Sequence, residues 1–388
     1  MNWIKSFLLY LGIVYFSAFA AEIAFHFYKT TPSYLNLSKA ELTPQEHARV
    51  EFQNKSEKEI MSLLASNPEL KAGLRPAHFT NHTYLDKLAT KTGFLPLGGV
   101  PNSKTVLCDE GYGLVTYQSD RYGFRNMDRL WDEPVDWLFI GDSFTQGYCV
   151  HNGSVMSDYI ISDGASAINV GMGGNSPLEY AALARTFIPV LKPSKVAMIF
   201  YRNDFTGQGT KKYSEYYLKK EFQNPYLNVS TFNQISNKFY DYYLNTKSVK
   251  NNLQRIINKL ISFAKLPTFR GLYYTPKISV NAAHTAINNT LSLCSANECE
   301  LYLVYIPSSS YWSPWNERET AKIRAWLRNM VSQLSTNNPK RKVVLIDLSD
   351  EVEKIGLKAY SLIGGHLSPA GYRIVADRLI EATQNKLQ

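Results

Sequence analysis

The sequence predicts an α/β fold in which a parallel sheet is covered by helices on both faces. Three observations carry this: five short apolar runs show no alternation, helical periodicity separates them, and glycine or polar residues follow their carboxyl ends. A strand that is apolar throughout is buried on both faces, and such strands belong to parallel sheets joined by helical crossovers. Trp137-Leu138-Phe139-Ile140 is the first run and stops at Gly141. Ala167-Ile168-Asn169-Val170 is the second, followed by Gly171, Gly173 and Gly174. The third runs from Val196 to Tyr201, the fourth from Leu301 to Ile306, and the fifth from Val343 to Ile346. Spacing predicts helices over 177–191, 284–293, 317–334 and 369–383, with Pro177 suited to a first helical turn. In open sheets of this kind ligands bind beyond the carboxyl ends of the strands.

Three segments are read along the chain. Residues 1–29 are a signal peptide or signal anchor, 30–130 a lead-in region, and 131–388 the main domain, interrupted at about 206–276 by a helical insertion. After Lys5, the run from Phe7 to Ala21 has the length of a secretory core, and Ala18-Phe19-Ala20 offers a small-x-small cleavage pattern. Apolar character resumes from Ile23 to Tyr28, so the stretch is also long enough to cross a bilayer, which takes about 20 residues. Both readings export the body. The lead-in contains a helical pattern over 44–64 and no recognisable chemistry. The insertion is rich in Tyr, Lys and Asn, with Lys211-Lys212, Tyr216-Tyr217 and a second helical pattern over 248–266. It reads either as a helical subdomain over the sheet edge or as a lid that grips a sugar or an anionic polymer.

The formal charge of +9 suits anionic surroundings, but basic residues are spread along the chain and no zinc-finger or RNP-like pattern occurs, so nucleic acid is not expected as a partner. Four cysteines fit an oxidising compartment; Cys294 can close a small loop with Cys299, leaving Cys108 to Cys149, although four cysteines allow three connectivities. Their spacing does not resemble a zinc site, and no metal is expected.

Four blocks carry chemistry. Gly141-Asp142-Ser143-Phe144-Thr145-Gln146-Gly147 places a serine at a strand-to-helix turn, where its hydroxyl is exposed and its own N–H is free to donate. Asn169-Val170-Gly171-Met172-Gly173-Gly174 puts a glycine loop beside it, before a helix start. Tyr201-Arg202-Asn203-Asp204 ends the third run, with Asn203 able to donate its amide. Gly364-Gly365-His366-Leu367-Ser368-Pro369 offers a base just before the last helix.

In this order and on these elements, the four blocks resemble the SGNH/GDSL hydrolase family. The resemblance implies a flavodoxin-like three-layer fold, no cofactor, Ser143 as nucleophile, His366 as base, and an oxyanion hole formed by Ser143, Gly174 and Asn203. Gly174 is preferred to Gly171 and Gly173 because the family places this glycine five residues after an Asn, here Asn169. Ser119-Asp120-Arg121-Tyr122-Gly123-Phe124-Arg125-Asn126 is similar to a lead-in of bacterial envelope members. One departure stands out: the family's Asp three residues before the histidine is Ile363 here. A dyad held by a backbone carbonyl, a carboxylate from Asp347 or Asp350 after the fifth run, or impaired catalysis are the alternatives. Tyr201 also replaces a usual glycine and narrows the site.

The expected function is a serine esterase or acyl transferase, membrane-anchored on the periplasmic or extracellular side. Its substrate is expected to be an acylated carbohydrate, with O-acetyl groups of an envelope or extracellular polysaccharide foremost, or another ester. A lipase or lysophospholipase, and a non-catalytic glycan-binding or assembly protein on the same fold, are the rival readings.

Overall fold

Every apolar run forms a strand, and all of them join one sheet. β4 (Trp137–Ile140), β5 (Ala167–Asn169), β6 (Lys195–Tyr201), β7 (Glu300–Ile306) and β8 (Val343–Asp347) lie in the order β5-β4-β6-β7-β8. All are parallel, with Leu138 opposite Ile168 on one side and Val196 on the other, and Leu303 opposite Leu345. Counted from β4 this is the flavodoxin-like order, with its switch point between β4 and β6. The computed structural model describes residues 2–30, 66–76, 94–206, 215–246, 278–308, 314–337, 342–361 and 365–384, with isolated positions among 87–92 and at 261 and 264. The helical pattern at 44–64, the Lys211-Lys212 pair, nearly all of 248–266, Ile363 and Gly364 lie outside the described residues.

Each sheet face buries its own core. On one face Leu138, Ile140, Val196, Met198 and Leu303 meet helices α4 (Pro177–Leu191), α6 (Asn281–Asn297) and α7 (Pro314–Asn337). On the other, Phe139, Ala197, Ile199 and Val304 meet α3 (Met156–Ser162), α8 (Ser349–Ile355) and α9 (Pro369–Gln384). The result is a three-layer sandwich.

The lead-in forms a second, small sheet. β1 (Leu70–Ala72) pairs parallel with β2 (Lys104–Cys108), which pairs antiparallel with β3 (Val115–Gln118). At the tip between β2 and β3, Asp109 accepts hydrogen bonds from the amides of Gly111 (2.8 Å) and Gly113 (3.1 Å). Both glycines are left-handed, at φ 103° and 85°, a conformation with no steric cost only for glycine. Leu74, Phe94, Leu97, Val100 and Phe124 of the lead-in share the first core with Phe187 of α4.

The insertion packs onto this lead-in. Phe232 and Phe239 of α5 (Val229–Thr246) approach Phe94 at ring-centroid distances of 5.3 and 6.3 Å. Tyr226 accepts from the Leu97 amide at 2.6 Å, Tyr217 donates to the Leu95 carbonyl, and Tyr240 accepts from the Ala72 amide at 3.0 Å. Buried tyrosines hydrogen-bonded to backbone are core. The expectation of a lid gripping substrate through the insertion's aromatics is therefore corrected for Tyr217, Tyr226 and Tyr240.

Asp120 knots the lead-in to the main sheet. Fully buried, it accepts from the amides of Tyr122 and Phe124 (both 2.9 Å), from Asn126 Nδ2 (2.8 Å) and from Trp131 Nε1 (2.8 Å). Asn126 in turn bonds both backbone groups of Asn169, at 2.8 and 2.9 Å. Burial outweighs these four donors and pushes the Asp120 carboxyl from 3.8 up to about 6. The folded state thus holds this proton more tightly than the unfolded one. The group's contribution is full below about pH 4 and is lost as pH rises through about 6, a change of at most ~3 kcal/mol. Urea unfolding of wild type and Asp120→Asn should show their stability difference shifting by that amount between pH 4 and 7, against wild type at the higher pH. A constant difference across the window contradicts this.

At the amino end, α1 (Asn2–Thr30) is a 29-residue helix. Its segment Trp3–Ala24, 22 residues, is long and apolar enough to cross a membrane. Such a segment spans about 33 Å against a hydrocarbon core of about 30 Å. The disulfides Cys108–Cys149 and Cys294–Cys299 are both formed.

Candidate active site

The turn that carries Ser143 follows from steric facts at its ends. β4 is wholly buried and ends at Gly141, where an added Cβ would lie 1.9 Å from Thr145 Oγ1. Helix α2 (Ser143–Gln146) begins at once, capped by Asp142, whose Oδ1 accepts from the Phe144 amide at 2.9 Å. It closes at Gly147, φ 76°, packed against Val155. Ser143 is left half-buried at the carboxyl edge of the sheet, beside the switch point.

Three side chains from distant parts of the chain meet there. His366 Nε2 lies 2.8 Å from Ser143 Oγ, and His366 Nδ1 lies 2.6 Å from Glu110 Oε1. A carboxylate accepts only, so it fixes the Nδ1–H tautomer and leaves the Nε2 lone pair facing the serine hydroxyl. Glu110 Oε2 accepts from Ser361 Oγ (2.6 Å) and from the His366 amide (3.3 Å). Ser361 also accepts from the Gly365 amide and donates its own N–H to the His366 carbonyl. The imidazole is packed between Phe144 and Tyr148, at 4.8 and 4.7 Å between centroids.

The carboxylate next to His366 is therefore not one of those anticipated. Asp347 accepts from Arg324 Nε (2.6 Å) and Arg328 (3.1 Å) through Oδ2, and from Ser349 Oγ (2.7 Å) through Oδ1. Asp350 is exposed and pairs with Arg324 at 3.0 Å. Both are drawn to the guanidinium groups of α7, which packs on the edge strand β8, and the assignment of Asp347 or Asp350 to His366 is corrected to Glu110. Glu110 was missed because it follows no catalytic pattern and sits on the hairpin tip of another sheet. One signal pointed to it: pairing Cys108 with Cys149 brings residue 110 close to the exit of the nucleophile helix.

The second block is held by Asn169, whose Nδ2 donates to the Thr145 carbonyl (2.6 Å) and whose Oδ1 accepts from the Gly171 amide (2.9 Å). The Gly173 amide donates to Gln146 Oε1 at 2.8 Å. Gly171 and Gly173 have thus committed their N–H groups, which leaves Gly174, at φ 81°. In the third block, Asn203 donates one amide hydrogen to Asp142 Oδ2 at 2.9 Å, and the second remains for another acceptor. Tyr201 stacks on Phe144 at 3.9 Å between centroids.

Two buried carboxyls lie behind the site. Burial raises the Asp142 carboxyl, opposed by the bonds from Asn203 and Phe144. Asp204, bonded by Tyr180 Oη (2.8 Å) and the Tyr201 amide (2.9 Å), is pushed well above the carboxylate range by burial and by the neighbouring Asp142. Of the two, Asp142 is the one that orients Asn203, through Oδ2.

A relay of carboxylate, imidazole and hydroxyl beside unspent N–H groups is equipped for acyl transfer. The family model of the GDSL-like Lipase/Acylhydrolase matches residues 138–379. That span includes Ser143, Gly174, Asn203 and His366 and begins after Glu110. Comparison with curated protein sequences gives no match. Among solved structures, a GDSL-like lipase from Bacteroides thetaiotaomicron is similar at 13% identity, over 64% of this chain and 88% of that one, with a TM-score of 0.33. An alpha/beta hydrolase enzyme from the metagenome of Lake Arreo, Spain, is similar at 13% identity, over 64% and 94%, with a TM-score of 0.34. With the matched span covering the whole parallel sheet from Leu138 onward, the chain belongs to the GDSL-like lipase/acylhydrolase family, whose general activity is ester hydrolysis.

Proposed function

We propose that this chain is a serine esterase or acyl transferase acting on O-acetyl or similar short acyl esters of an envelope or extracellular polysaccharide. The observation that carries the reading is the unbroken relay Glu110–His366–Ser143, at 2.6 and 2.8 Å. His366 takes the Ser143 proton as the oxygen attacks the ester carbonyl. The developing oxyanion is held by the N–H groups of Ser143 and Gly174 and by Asn203 Nδ2. Collapse of the tetrahedral intermediate expels the alcohol, which takes the proton from His366. Water, or a sugar hydroxyl in a transferase, then gives its proton to His366 and attacks the acyl-enzyme, freeing Ser143.

Asn203→Ala should lower kcat by about 10²–10³-fold with little change in KM, because the donor acts on charge present only in the transition state. An unchanged kcat removes Asn203 from the mechanism.

The substrate class rests on three supports. Tyr201 stacked on Phe144 favours a short acyl group over a long chain. The charge of +9 suits an anionic polymer. The apolar N-terminal helix and two disulfides fit export to an oxidising compartment with the body held at the membrane. Full-length protein in detergent should hydrolyse a chromogenic acetyl ester about tenfold better in kcat/KM than the octanoyl ester, and release acetate from acetylated polysaccharide. Preference for the octanoyl ester transfers the reading to a lipase.

A further inference from the structure

We infer that the Cys108–Cys149 disulfide is a positioning element of the catalytic site: it ties the segment carrying Glu110 to the segment carrying Ser143, so that the relay is complete only in the oxidised chain. This rests on the serine mechanism proposed above.

The argument is one of place. Cys108 is the last residue of β2, and Glu110 follows it after Asp109. Cys149 lies in the turn leaving the nucleophile helix, immediately after Tyr148, whose ring packs on His366. The disulfide, spanning 41 residues of sequence, therefore joins the carboxylate's hairpin to the nucleophile's exit turn. Cys149 is fully buried and holds φ 62°, a left-handed conformation uncommon outside glycine, as expected where the surroundings dictate the backbone.

The two segments are arranged unequally without it. The exit turn is clamped independently: buried Arg125 donates to the carbonyls of Gly147 (2.7 Å) and Val150 (2.8 Å) and to Asn152 Oδ1 (2.8 Å). The hairpin tip meets the main domain through Glu110, through His151 Nε2 at 2.7 Å from the Tyr112 carbonyl, and through the half-buried Tyr112 side chain packed against the second core. Breaking the disulfide removes the covalent tie two residues from Glu110 and so loosens the carboxylate's hairpin, while Arg125 still holds the turn after Ser143. A displacement of about 1 Å in such a group costs on the order of 10²-fold in rate. The second disulfide, Cys294–Cys299, closes the end of α6 before β7 and has no such link.

The test is an epistasis experiment on the full-length protein with a chromogenic acetyl ester. Cys108→Ala/Cys149→Ala should lower kcat by about 10–100-fold at nearly unchanged KM, whereas Cys294→Ala/Cys299→Ala leaves kcat within about twofold. In a Glu110→Gln background the same Cys108/Cys149 change should cost no more than about twofold further. Reduction by dithiothreitol should reproduce the loss, two electrons and two protons giving two thiols while the dithiol leaves as its cyclic disulfide; reoxidation restores it. Should the alanine pair fail to fold, Cys108→Val/Cys149→Ala refills volume and carries the same comparison. Undiminished kcat, or an equal loss with and without Glu110, overturns the inference. A proton NMR spectrum reads it without turnover: the downfield imidazole N–H signal, assigned by its loss in His366→Ala, should vanish when Cys108 and Cys149 are replaced. If wild type fails to turn over any ester while that signal still depends on the disulfide, the functional reading fails and the positioning stands; if the signal is indifferent, the positioning fails.

Discussion

Glu110→Gln is expected to lower kcat for acetyl ester hydrolysis by about 10³–10⁴-fold while leaving the fold and KM nearly intact. The reason is a tautomer. Glu110 Oε1 accepts a hydrogen bond from His366 Nδ1–H at 2.6 Å, and its other oxygen is held by Ser361 and the His366 amide. A glutamine in the same volume can turn its NH2 toward Nδ1, and the imidazole then carries its proton on Nε2, facing Ser143. A base that presents a proton to the nucleophile cannot remove one. Glu110→Asp keeps the charge but shortens the reach, and its kcat should fall between the two. Equal activity of wild type and Glu110→Gln in a steady-state assay contradicts the relay.

Ser143→Ala and His366→Ala should each reduce turnover by about 10⁵–10⁶-fold, and the double variant should be no worse than either. In the proposed mechanism Ser143 supplies the oxygen that becomes the acyl-enzyme, and His366, at 2.8 Å from it, moves every proton of the cycle. Because neither acts without the other, their losses do not add. The two replacements should differ in stability. Ser143→Ala deletes one half-buried hydroxyl, whereas His366→Ala strips a ring packed between Phe144 and Tyr148 and takes the imidazole donor from Oε1 of the buried Glu110, whose Oε2 keeps Ser361 and the backbone amide at 366. Chemical denaturation should place the histidine variant about 1–3 kcal/mol below the serine variant. Additive losses in turnover would place His366 outside the reaction.

The parallel sheet was legible because strands buried on both faces must be apolar at every position, as in Trp137–Ile140 and Leu301–Ile306. The blocks around Ser143, Asn169, Asn203 and His366 were legible because each sits at the carboxyl end of a strand or before a helix, within a short span of sequence. Glu110 was not. It comes from a separate sheet and meets His366 through a contact that only the folded chain creates. Asp347 was attractive because it ends a strand at the catalytic edge, but nothing in the sequence showed that Arg324 and Arg328 on α7 would claim it. The insertion's tyrosines illustrate the same limit. A hydroxyl that bonds the backbone at Leu95 or Leu97 looks no different in sequence from one that bonds a sugar.

The most direct test of the account is covalent labelling of full-length protein with a fluorophosphonate, with the modified residue located by mass spectrometry. The account predicts one phosphonylated residue, Ser143, labelled rapidly in wild type and slowed at least about 10²-fold in His366→Ala and Glu110→Gln. Labelling of a different serine, no labelling at all, or equal rates in wild type and Glu110→Gln would contradict it.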